Sequence, residues 1–252
     1  MYFLKFDHVD FSYYSNTGEI QVLQDMSFEI ERGSFIAVVG PSGCGKSTIL
    51  SLIAGLLQPT GGYITFYSDD FQTPGIGYML QHDHLLEWRD VYHNILLGLE
   101  IQHKLFLENI ELVNQLLVKY HLENTIRLKP SALSGGMRQR IALIRTLALQ
   151  PDLLLLDEPF SALDALTRIS MQEWLLKQWQ HFHKTIMFIT HDVEEAIFMS
   201  SKIYLVKQTP IHELEVLKVP MDYPRNRNDM GRPEIVELKE YLIDQLRKQV
   251  II

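Results

Sequence analysis

The chain has 252 residues, 46% of them hydrophobic and 21% charged, which fits one large α/β domain with a sizeable core and a smaller lobe. Its formal net charge of −8 argues against a general nucleic-acid binder, and the single cysteine, Cys44, excludes an intramolecular disulfide. No apolar run approaches a bilayer-spanning length, and Met1-Tyr2-Phe3-Leu4-Lys5 lacks the basic start and long apolar run of a secretory leader, so a cytoplasmic protein is expected, with any membrane part supplied by another chain.

The first third reads as strands. Phe3, Phe6, Val9 and Phe11 sit among polar residues, and Val22, Leu23, Met26, Phe28 and Ile30 alternate roughly, as antiparallel strands with one wet face do. Ser34-Phe35-Ile36-Ala37-Val38-Val39 is almost purely apolar, the pattern of a strand buried on both faces. It runs into Gly40-Pro41-Ser42-Gly43-Cys44-Gly45-Lys46-Ser47-Thr48, a phosphate loop. Gly40, Gly43 and Gly45 let backbone N–H groups turn inward on an anion, and the helix that begins near Lys46 points its positive end there. Lys46 adds a charge for the β- and γ-phosphates, the Ser47 hydroxyl suits Mg²⁺, and Thr48 can add a phosphate contact. Cys44 occupies a variable position and is small enough to fit. The apolar face Ile49, Leu50, Leu52, Ile53, Leu56 and Leu57 continues that helix, and Gly61-Gly62 breaks the chain before a strand at Tyr63-Ile64-Thr65-Phe66.

From about His82 to Gln150 the periodicity is mainly helical, with Phe106, Ile110, Val113, Leu116, Leu117 and Tyr120 three and four apart. Ser134-Gly135-Gly136 caps a helix that reaches about Leu149. Leu153 to Leu156 and Thr185 to Thr190 are two further buried strands, and Pro233 opens a last amphipathic helix with Ile235, Leu238, Leu242, Leu246 and Val250 on one side. The second buried strand ends in Asp157-Glu158, where ligands meet an open parallel sheet. Asp157 suits the Mg²⁺ shell, and Glu158 suits a general base that polarises the water attacking the γ-phosphorus. Neighbouring strand residues point to opposite faces, so both reach one site only if the strand stops there, and Pro159 fits that stop. The histidines outside Thr190-His191-Asp192 lack metal-ligand spacing.

With these residues in place, the chain resembles the ATP-binding subunits of ABC (ATP-binding cassette) transporters, from about Met1 to Leu205, through six motifs in order. The resemblance implies an α/β P-loop NTPase (RecA-like) core over 1–81 and 148–210 that carries an N-terminal antiparallel β-subdomain. It further implies an inserted α-helical subdomain at 82–147 and a C-terminal extension at 211–252 ending in a helix. In that family an aromatic before the first strands stacks on adenine; Tyr13 matches, with Tyr14 the near alternative. Gln81 in Gly77-Tyr78-Met79-Leu80-Gln81 matches the Q-loop glutamine, which senses Mg²⁺ and the attacking water. Leu133-Ser134-Gly135-Gly136-Met137 matches the signature, Phe160-Ser161-Ala162-Leu163-Asp164 the D-loop, and His191 the switch histidine. The signature is implied to close over ATP held by the phosphate loop of a second copy, so that two copies pair head to tail with two ATPs between them. The implied cofactors are ATP and Mg²⁺. The implied partners are a second copy on ATP binding, integral membrane permease subunits and, indirectly, a solute-binding protein, with no nucleic acid. The implied location is the inner face of the cell membrane.

Leu85-Leu86-Glu87-Trp88-Arg89 resembles the Leu-Leu-Pro-Trp stretch of the nitrate/sulfonate/taurine importer group, which includes thiamine-pyrimidine importers. Gly136 to Arg140, Asp192 to Ala196 and Tyr223-Pro224-Arg225-Asn226-Arg227 fit that group too. Glu87 departs from its usual proline, and Ile144-Arg145-Thr146 from its usual Ala-Arg-Ala. The solute implied is a sulfonate, nitrate or a thiamine pyrimidine precursor. The alternative is a soluble ABC ATPase of translation or DNA repair, which typically carries two cassettes or a long coiled-coil insertion, whereas Lys46 to Ser134 holds only a compact helical lobe. A chain that binds without hydrolysing is disfavoured by Glu158, Gln81 and His191. The chain also ends before the extra regulatory domain of sugar-importer ATPases would be expected.

Overall fold

The computed structural model describes residues 2–16, 18–67 and 74–249. The chain forms two compact units, Met1–Pro74 with Gln178–Ile252 and Gly75–Lys177.

In the first unit, β1 (Tyr2–Ser15), β2 (Gly18–Glu31) and, later, β4 (Gly61–Phe66) make an antiparallel sheet in the order β2-β1-β4. Its ladder shifts register between Phe6 and Val9. This bulge lets Phe6 and Val9 both bury fully although they are an odd number apart. β3 (Phe35–Val39) is buried at every position, as a strand of a parallel sheet covered on both faces is. It pairs in parallel with β7 (Thr185–Ile189) and with β8 (Lys202–Val206), and β8 pairs antiparallel with β9 (Leu214–Lys218). β3 leads through the glycine loop into α1 (Lys46–Ile53).

Helix α1 is shorter than the apolar face suggested. It ends in a Schellman turn: Leu56 N–H donates to Ser51 O at 2.9 Å and Gly55 N–H to Leu52 O at 3.1 Å, with Gly55 at φ +72. Leu56 therefore falls outside the helix and is 63% exposed. The pair Gly61-Gly62 lies inside β4 rather than before it; Gly62 faces the His8 carbonyl, where a side chain would collide.

In the second unit, β5 (Ile76–Met79) pairs in parallel with β6 (Leu153–Asp157) from Ile76↔Leu153 to Met79↔Leu156. Helices α2 (Val91–Ile101), α3 (Leu107–Lys119) and α4 (Gly135–Leu147) pack together, with α4 touching α2, α3 and β5. Fully buried Asn94 holds the turn before α2: its Oδ1 accepts from Leu86 N at 2.7 Å and its Nδ2 donates to the carbonyls of Leu86, Arg89 and Asp90. That turn leaves Trp88 exposed. α5 (Ala165–Phe182) runs from the second unit into the first. The first unit closes with α6 (Val193–Met199) and α7 (Pro233–Gln249), which bury Ile235 and Leu242 on the expected α7 stripe. Val250 of that stripe lies outside the described residues. Among the described residues no helix is long and apolar enough to cross a membrane.

Candidate functional site

The glycine loop leaves β3 and opens α1 as the apolar-run-then-glycine pattern requires. Gly45 is the N-cap of α1, at φ +104, and no side chain caps the helix. A β-carbon there would also fall 2.4 Å from Val22 Cγ1, so glycine is demanded by both conformation and space. Lys46, only 8% exposed, donates from Nζ to Gly40 O at 2.9 Å and Pro41 O at 2.6 Å and lies 3.8 Å from Cys44 Sγ. An ammonium ringed by its own loop's carbonyls, below an uncapped helix start, is built for a polyphosphate. Ser42, Gly43 and Ser47 are exposed at the mouth and Thr48 is buried. Burial raises the Cys44 thiol pKa, with Lys46 pulling the other way.

Tyr13, on β1, reaches this loop: its hydroxyl lies 3.2 Å from Thr48 Oγ1. Its ring packs edge-on against Phe11 at 4.9 Å between centroids. Tyr14 is more exposed, at 72% against 43% for Tyr13. His191, exposed, follows β7 in the same unit. Its turn is tied on both flanks. Thr190 Oγ1 donates to the buried Glu195 carboxylate and accepts from Asp192 N at 3.0 Å, while Asp192 Oδ1 caps α6 by accepting from Glu194 N at 2.9 Å and Glu195 N at 3.1 Å.

The second unit carries Gln81, Ser134-Gly135-Gly136, Asp157, Glu158 and Asp164. Gln81 is exposed just past β5. Ser134 caps α4 by accepting from Met137 N at 3.2 Å; its hydroxyl keeps a proton to donate. Asp157 is 4% exposed at the end of β6, and Glu158 follows in left-handed backbone at φ +49. Asp164 caps α5 through Thr167, and those hydrogen bonds lower its pKa. A buried carboxylate and an exposed hydroxyl are the hard oxygen donors that Mg²⁺ takes, so Asp157 and Ser47 fit it chemically.

Three buried or half-buried groups bind this second set together, and residue type alone gave none of them a role. Gln139 joins α4 to the carbonyl of Glu158, and Arg138 and Arg145 join α4 to Asp83 and His84, just after Gln81. The readable signals were their place on the helix that begins at Ser134 and, for Arg138 and Gln139, the Gly136 to Arg140 stretch.

The family model for ABC transporters matches residues 23–161. Among similar curated proteins is an uncharacterized ABC transporter ATP-binding protein, YtlC of Bacillus subtilis, 44% identical over 85% of this chain and 84% of its own. The nitrate import ATP-binding protein NrtD of Synechococcus elongatus is 36% identical over 98% of this chain and 92% of its own. The taurine import ATP-binding protein TauB of Escherichia coli O157:H7 is 38% identical over 94% and 95%. Among solved structures, a dimeric post-hydrolysis state of the ATP-binding cassette MJ0796 with ADP and phosphate superposes with a TM-score of 0.76 at 28% identity, covering 87% of this chain and 100% of that one.

Proposed function

This chain belongs to the ABC transporter family and is an ATPase of P-loop fold, and we propose that it is the motor subunit of an importer for a small solute: a sulfonate, nitrate or a thiamine pyrimidine precursor. The importer half of the reading is supported by likeness, over more than nine-tenths of the chain, to nitrate and taurine import proteins. One observation carries the chemistry: the buried Lys46 ammonium beneath the uncapped start of α1.

In this reading ATP binds with its adenine on Tyr13 and its phosphates against Gly40 to Thr48. Lys46 exchanges the Gly40 and Pro41 carbonyls for β- and γ-phosphate oxygens. Ser47, Asp157 and Gln81 hold Mg²⁺, which supplies neutralisation of charge on the phosphates. Glu158 takes a proton from the attacking water, and His191 holds the γ-phosphate. Ser134, Gly135, Gly136 and Asp164 face the nucleotide of a second copy, so closure of two copies completes each site. The helical segment 82–147 meets the membrane permease, which receives solute from a binding protein and holds this subunit at the inner membrane face.

The test is Mg²⁺-dependent ATP hydrolysis by the purified chain, together with co-purification of the tagged chain with a polytopic permease. Hydrolysis without any permease partner, and association with ribosomes or DNA instead, would move the chain to the non-transport branch.

A further inference from the structure

We propose that Gln139 is a positioning residue for Glu158, holding it in the backbone conformation from which it serves as base. The proposal rests on the reading of Glu158 as that base. Gln139 lies in the second turn of α4 and is 6% exposed. All of its amide hydrogen-bonding is directed at one loop. Nε2 donates to Glu158 O at 2.9 Å and to Ser161 Oγ at 3.1 Å, and Oε1 accepts from Ala162 N at 2.8 Å.

The loop needs such a clamp. Glu158 sits at φ +49, a region where the Cβ of an L-residue crowds its own backbone. Such residues persist when the surroundings over-determine them. Donors to the Glu158 carbonyl include Gln139 Nε2, Ser161 Oγ at 3.0 Å and Ser161 N–H at 3.3 Å. Ser161 Oγ is itself oriented by Gln139, so two of these donors depend on one side chain. The fully extended β6 ends one residue earlier, at Asp157. Released from its donors, Glu158 relaxes toward the strand, and its side chain swings away with the pleat. Proline at 159 disfavours the right-handed helical region, the other refuge.

The same contact reaches the start of α4. A β-carbon on Gly136 would lie 3.1 Å from Ala162 O, so the helix that begins with Ser134 rests directly against the loop Gln139 clamps. Engagement of Ser134 and Gly135 by a nucleotide would thus reach Glu158 through α4 and the loop it rests on.

Gln139→Met keeps the volume and removes all three hydrogen bonds; Gln139→Glu keeps an acceptor for Ala162 N–H and removes both donors. Steady-state ATPase kinetics should show kcat lowered at least about tenfold in both, as misplacement of a catalytic group does, with KM for ATP and nucleotide Kd within twofold of wild type. Added to Glu158→Gln, Gln139→Met should change the residual turnover by less than about twofold, because its route of action is already gone. A Gln139→Met or Gln139→Glu enzyme with wild-type kcat, or an undiminished Gln139→Met effect in the Glu158→Gln background, overturns the proposal. Full turnover by Glu158→Gln alone would overturn the base assignment beneath it and is read without any Gln139 variant. Circular dichroism on each variant separates folding losses from these effects, and the Gln139→Glu arm stands if Gln139→Met does not fold.

Discussion

Arg138 Nε donates to Asp83 Oδ2 at 3.0 Å, so the first turn of α4 grips the segment that follows Gln81. Two turns on, Arg145 donates to the carbonyl of His84 at 3.0 Å and to that of Asp83. The two arginines differ in burial. The Arg138–Asp83 pair is about one-third exposed on each side, and such pairs contribute about 0–1 kcal/mol. Arg145 is the more enclosed, and burial lowers its pKa. We predict that Arg145→Met lowers stability by about 1.5–3 kcal/mol, the range for hydrogen bonds to charged groups. Arg138→Gln should stay within about 1 kcal/mol of wild type. Urea titration decides; equal losses would mean that burial does not separate the two.

Lys46→Ala removes the ammonium from the loop. The Gly40 and Pro41 carbonyls regain water, so folding should survive. Nucleotide binding should weaken about 10- to 100-fold, the loss of one or two charge-assisted hydrogen bonds. Calorimetric or fluorescent-nucleotide titration checks it, and an unchanged Kd would remove Lys46 from phosphate contact.

Cys44 gives a pH dependence. Burial raises its thiol pKa, so the folded chain holds the proton more tightly than the unfolded one. That preference contributes stability below the unfolded value of about 8.5 and is lost as pH rises through the higher folded value. Alkylation needs the thiolate. Iodoacetamide should therefore label folded Cys44 slowly at pH 7, with a rate-against-pH midpoint above that of a free thiol. Mass spectrometry against pH reads this; a midpoint below that of free cysteine would mean that Lys46 outweighs burial.

His191 stands on a turn whose order comes from Thr190, Asp192 and Glu195. His191→Ala should bind ATP normally and lose turnover, because its expected contact is with the γ-phosphate. Glu195→Gln retains an acceptor for Thr190 Oγ1 and should keep most activity. Glu195→Ala strands that hydroxyl and should lower kcat without changing nucleotide Kd. Equal kcat in the two Glu195 variants would disconnect this hydrogen bond from His191.

The phosphate loop was legible because β3, buried on both faces, is apolar throughout, and the glycines interrupt it abruptly. The cap of α4 was legible because Ser134 precedes two glycines and an apolar periodicity. Strands β5, β8 and β9 were not: β5 is four residues with a glycine inside, and β9 alternates like any edge segment. The roles of Gln139 and Arg145 were illegible for a different reason. Each bonds a backbone carbonyl, 19 and 61 positions away, and a carbonyl leaves no mark in the residue type that bears it. The turn at Gly55 was readable as a glycine but not as a stop, since Leu56 and Leu57 continue the apolar face on paper.

The segment after β9 pins the far end of α6. Arg225 donates from Nη1 to the carbonyls of Ile197, Phe198 and Ser200 at 2.7, 3.0 and 2.8 Å, and from Nη2 and Nε to Met221 O at 2.7 and 3.0 Å. Its guanidinium lies 4.0 Å from the Tyr223 ring centroid, and the Tyr223 hydroxyl donates to Met199 O at 2.8 Å. These groups satisfy the orphan carbonyls at the C-terminus of a seven-residue helix that could not persist alone. A lysine keeps the charge, yet its three donors on a flexible stem cannot span both carbonyl sets or stack flat on the ring. Arg225→Lys should therefore cost about 2–3 kcal/mol in urea, against about 1 kcal/mol for Tyr223→Phe. Hydrogen exchange should quicken across Val193–Met199 in the lysine variant, with β3 unaffected. Wild-type protection of α6 in Arg225→Lys would show that the short helix is held by its buried face and its Asp192 cap alone.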